Sequence, residues 1–65
     1  MTDEEIRDAI SGVSGLNAMT VNERLYATGL IDEFDKSLKS DKIKAIKILE
    51  LLQVDQPSID KIVGK

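Results

Sequence analysis

Asp32, Glu33 and Asp35 form the densest cluster of cation-binding groups in this 65-residue sequence, and carboxylates suit Mg2+ or Ca2+. Their spacing argues against a metal site. On a helix Asp32 and Asp35 share a face, whereas Glu33 points about 100° away from Asp32, and no loop with ligand spacing accompanies them. A solvated helix face is the expected role. The other charged run, Lys36, Lys39, Lys42, Lys44 and Lys47, would suit a phosphate backbone. Asp41 interrupts it, and no Arg or aromatic side chain lies within it for base readout or stacking, so a solubilising surface is the better reading.

Covalent and acid–base chemistry have little to work with. The chain has no His and no Cys, so a triad-type nucleophile would lack its base. A lysine could substitute only if deeply desolvated, and the lysines fall on polar positions or near the chain end. No catalytic, metal or cofactor site is expected, and the chain reads as a non-enzyme.

One motif points elsewhere. Leu49-Glu50-Leu51-Leu52-Gln53-Val54-Asp55-Gln56-Pro57-Ser58-Ile59 resembles the turn of helix-turn-helix repressors, with Ile48, Leu52, Val54, Ile59 and Ile62 at its apolar positions. Two departures weaken the match. Leu49 stands where the motif has a small residue and Gln53 where it has a turn glycine, both of which let the helices approach closely. The would-be recognition helix carries Asp55 and Asp60, leaving Gln56, Ser58 and Lys61 to meet DNA, in a chain with formal charge −3. A tight helical corner is the simpler reading, and nucleic acid is a disfavoured partner.

The elements that would position these residues are all helical. Thr2 and Glu5 have capping-box spacing, and Ile6, Ala9, Ile10 and Val13 follow as one apolar stripe, which Gly12 and Gly15 weaken and end. Thr20 and Glu23 repeat the box after a loop, and the pattern predicts one long second helix over about 20–39. Its core face is Ala27, Leu30, Ile31, Phe34 and Leu38, within about 80° of one another. Ser40 or Asp41 can cap a third helix over about 41–53, with Ala45, Ile46, Ile48, Leu49 and Leu52 in an apolar arc and Ile43 and Leu51 outside it. Asp55 caps a last short helix with Pro57 in its first turn, and Ile59, Ile62 and Val63 fold back before Gly64. The expected fold is all-α: a small single-domain bundle of two main helices (about 20–39 and 41–53) plus short N-terminal and C-terminal helices. Its core should include Leu30, Phe34, Ile46, Leu49 and Leu52.

In the long second helix, Val21 and Leu25 fall opposite the core face, close to Gly29. Gly29 in mid-helix costs about 1 kcal/mol relative to Ala and suggests a close backbone approach. So small a core gains from association, and neither disulfides nor zinc are at hand as staples. A homo-oligomer is therefore expected, most simply a dimer, with Val21, Leu25, Tyr26 and Gly29 at the contact. On this reading a charge placed at Leu25 would split the dimer into folded monomers. Helix 1 is the alternative cover for the same face.

Charge is divided unevenly: residues 1–35 carry eight acids and two bases, and residues 36–65 four acids and seven bases. Complementary halves can steer an antiparallel contact, within the chain or between copies. No apolar run approaches a membrane span and Thr2-Asp3-Glu4-Glu5 is no signal region, so a cytoplasmic protein is expected.

From Met19 onward, Met19-Thr20-Val21-Asn22-Glu23-Arg24-Leu25-Tyr26 and Gly29-Leu30-Ile31-Asp32-Glu33-Phe34-Asp35-Lys36 resemble small uncharacterised bacterial helical proteins with an N-E-R-L segment followed by G-L-x-D-E-F-D. Ile48-Leu49 and Ser58-Ile59 fit their pattern loosely. The resemblance implies a bacterial protein, carries no activity, and suggests Met19 as an alternative start, with residues 1–18 an accessory extension. The residues themselves point to a helical protein–protein interaction module, self-associating or binding a partner protein through helix 2. The alternative is a small nucleic-acid-associated regulator using the C-terminal corner.

Overall fold

Local capping signals set most of the helix starts. In the computed structural model, which describes residues 1–64, the chain runs α1 (Asp3–Ser11), a 3-10 turn (Leu16–Ala18), α2 (Val21–Thr28), α3 (Ile31–Ser40), α4 (Lys42–Leu51) and α5 (Gln56–Val63). Both capping boxes form: the Thr2 hydroxyl accepts from the Glu5 N–H at 3.2 Å while the Glu5 carboxylate accepts from the Thr2 N–H at 2.9 Å. Thr20 and Glu23 do the same at 3.2 and 2.8 Å. Of the two candidates at α4, Asp41 is the cap, accepting from the Lys44 N–H. Asp55 caps α5, with Pro57 in the first turn, where its missing N–H leaves no bond unmade.

The single helix expected over 20–39 is instead two. Gly29 adopts φ 73°, a left-handed conformation open to glycine at little cost, and ends α2. The Leu30 N–H donates to the Leu25 carbonyl at 2.9 Å and the Gly29 N–H to the Tyr26 carbonyl at 3.1 Å, the paired bonds of a Schellman ending. The flanking apolar pair of that motif, Leu25 and Leu30, is fully buried. The same ending recurs at α4, where Val54 N–H donates to Leu49 O and Gln53 N–H to Glu50 O, both at 3.0 Å. There the left-handed residue is Gln53, at φ 65°.

Gly29 thus makes a test whose sign separates the two architectures. In a continuous helix Gly29→Ala would stabilise by about 1 kcal/mol. As a left-handed terminus it should destabilise by about 1–2 kcal/mol, through backbone strain alone since nothing crowds the added Cβ. The expected outcome is a melting temperature lowered by several degrees in a circular-dichroism melt.

The core joins all five helices and the 3-10 turn: Ile6, Leu16, Leu25, Leu30, Phe34, Ala45, Ile48, Leu49, Leu52, Val54, Ile59 and Val63. The arc of α4 accounts for its centre, with Ala45, Ile48, Leu49 and Leu52 fully buried and Ile46 half-buried. α3 and α5 pack against α4, and α1 lies across it as well. The Cα framework measures 29 × 24 × 15 Å, about two packed helix layers in its thinnest direction, so each helix keeps a solvent face. Among the described residues no helix is long and apolar enough to cross a membrane.

Candidate protein interaction surface

The break at Gly29 redirects the four residues singled out for a contact between copies. Val21 and Leu25 turn inward with Thr28: Leu25 is 2% exposed within the single chain and Val21 packs half-buried against the core. Tyr26 and Gly29 face solvent, and Tyr26 is 69% exposed. The cover expected from a second copy is thus supplied, for Val21 and Leu25, by the chain's own core. Ala27, expected on the core face, is exposed, because that face was drawn through a helix that does not continue.

Large apolar side chains also reach the surface at Ile43, 80% exposed at the start of α4, and at Ile62 near the end of α5. Ile43 stands among the exposed Lys39, Lys42 and Lys47. The sequence had already set Ile43 outside the arc of α4, whereas Ile62 was expected to fold back with Ile59 and Val63, which are buried.

The acidic cluster disperses. Asp32 and Asp35 remain exposed, and Glu33 is drawn to Lys44 at 2.9 Å. Among the described residues no three acidic groups gather in a manner able to hold a metal ion. The hydrogen bond from Lys44 holds the Glu33 carboxyl below its ordinary range, and the same bond raises Lys44. Asp3 is lowered by its hydrogen bond and attraction to Lys47, 2.7 Å away. Glu5 and Glu23 are lowered by the Thr2 and Thr20 backbone N–H groups that they accept from, and Asp55 by Ser58. Every one of these shifts belongs to a helix cap or a surface ion pair. The uneven charge therefore finds an intramolecular outlet: Asp3 of α1 and Glu33 of α3 both meet lysines of α4.

Arg24 was not singled out by the sequence, and it organises one end of the molecule. Its Nε donates to the Leu16 carbonyl at 2.8 Å, and its Nη1 to the Leu52 and Gln53 carbonyls at 3.2 and 3.1 Å. The guanidinium thereby satisfies carbonyls at the end of α4 and complements the negative end of that helix. One signal was available: Arg24 shares the face of Val21 and Thr28, at i−3 and i+4. Beside it, Val13, Gly15, Leu16, Asn17 and Gln53 line an open cleft of about 200 Å³, with no charged side chain in its wall. That is below the usual size of a small-molecule site.

At the C-terminal corner, Gln53 takes the left-handed conformation that the helix-turn-helix pattern assigns to glycine. The face of α5 that would meet DNA is less suited. Gln56 Nε2 donates to Asp60 and Ser58 is engaged by Asp55, so two of the three expected contacts are turned onto acids of their own helix end. Compared with known proteins, the chain matches no family model, no curated protein and no solved structure.

Proposed function

We propose that this chain is a non-enzymatic helical interaction module that contacts a second copy or a partner protein through the outer face of α2. The observation that carries the reading is Tyr26, the sole tyrosine, projecting 69% exposed from a helix capped at both ends. Tyrosine is enriched at interfaces because it contributes a large rigid contact area with a polar tip. Among the described residues the surface supplies no gathered ligand set.

The test is the mass in solution, by light scattering on a sizing column, of wild type and Tyr26→Glu. The wild type should approach twice the chain mass as concentration rises. Tyr26→Glu should show a lower average mass than the wild type at the same concentration, with an unchanged melting temperature, since Tyr26 contributes little to the fold. A wild type that stays strictly monomeric at about 1 mM, a concentration at which even weak specific contacts form, removes the self-association reading.

A second reading, a nucleic-acid-associated regulator, is favoured by the left-handed Gln53 turn alone. It requires retention on heparin that weakens steeply with salt. Asp55 and Asp60, flanking the face that would meet phosphate, favour the first reading.

A further inference from the structure

We propose that α1 exchanges between two copies of this chain, each α1 lying against α4 of the other copy in place of its own. This goes beyond the contact at Tyr26 and uses a different surface.

α1 has nine residues, too few for a helix to persist alone in water, so its order depends on where it is docked. Ile6 is its only fully buried side chain, with Ala9 and Ile10 partly covered and Val13 just beyond it likewise. The polar edge is held by Asp3 on Lys47 at 2.7 Å and by Lys44 Nζ donating to the Met1 carbonyl at 2.8 Å. Undocking therefore exposes a short apolar slot with two lysines at its rim.

The occupant that suits such a slot is an amphipathic helix whose first turn is acidic. The first turn of α1 is Asp3, Glu4 and Glu5, and a second copy carries the same helix with the same contacts, so the exchange needs no new complementary surface. The joint that permits it is short and well bounded. Gly12, Ser14 and Gly15 are exposed, and Gly15 sits at φ 77°. Immediately beyond, Leu16 is buried and its carbonyl is held by Arg24, so freedom to swing ends there.

Charge reversal separates exchange from docking in place. Asp3→Lys and Lys47→Asp are made as two full-length variants and mixed. In either variant alone, both the internal contact and an exchanged homodimer place like charges together. In the exchanged heterodimer both opposite-charge pairs return. Native mass spectrometry distinguishes the three dimers by mass, and the ratio of heterodimer to the two homodimers together is expected to exceed its statistical value of one by about tenfold. The chain carrying both reversals restores its own pair and should behave as the wild type, which shows that neither reversal prevents folding. Monomers alone, or a heterodimer at the statistical share, overturn the proposal. Repeating the mixture with Tyr26→Glu in both chains separates the two contacts, because the exchanged heterodimer persists whereas a dimer formed through Tyr26 is lost.

Discussion

Leu25→Glu is expected to unfold the chain rather than to release a folded monomer. Leu25 lies in the last turn of α2 at 2% exposure and forms, with Leu30, the apolar pair that accompanies the Schellman ending at Gly29. A carboxylate there would be desolvated with no basic partner, at a cost of several kcal/mol. Domains of this size are stable by roughly 3–10 kcal/mol in all, so most of the folded population would be lost. A circular-dichroism melt checks it. A cooperative transition near that of the wild type would mean that Leu25 faces a removable surface, as the continuous-helix reading had it.

Leu49→Ala should have an effect of similar size for a different reason. Leu49 is 0% exposed on α4, the helix on which α1, α3 and α5 all pack, and truncating it leaves a cavity that several elements line. Deleting a buried leucine side chain costs about 2–5 kcal/mol, with the higher values where surroundings cannot collapse. Ile43→Ala on the same helix is the internal control. At 80% exposure Ile43 should change stability by no more than about 0.5 kcal/mol. Urea midpoints for the two variants should thus differ widely, and equal midpoints would show that the burial pattern of α4 is misplaced.

The parallel endings of α2 and α4 show how the same backbone device is written in two ways. At Gly29 the left-handed residue is the one that local chemistry favours, yet an apolar pattern running from Ala27 to Leu38 continues across it and reads as one helix. At Gln53 the residue gives no local hint, since a left-handed φ is uncommon for a side chain of that size. In both cases the flanking residues decide: Leu25 with Leu30, and Leu49 with Val54, are buried together by the ending. Arg24 adds to this at α4 by hydrogen bonding to the Leu52 and Gln53 carbonyls, across more than twenty residues of chain.

What the sequence determined by itself lies within about one helical turn of the residues concerned. Thr2 with Glu5, Thr20 with Glu23, and Asp55 with Pro57 each satisfy backbone groups three residues away, so they start helices whatever else surrounds them. The arc of α4 and the absence of His and Cys likewise needed no fold to interpret. Only the tertiary structure decided whether Gly29 interrupts a helix or ends one. A glycine costs about 1 kcal/mol within a helix and little in the left-handed conformation, a local difference too small to overrule the apolar pattern, and the ending prevails by burying Leu25 and Leu30 on the same core. That choice turned Val21 and Leu25 inward and left Tyr26 outside. It reassigned the candidate surface because a side chain's direction on a helix follows from where that helix stops, and the stop was fixed by packing between residues far apart in the chain.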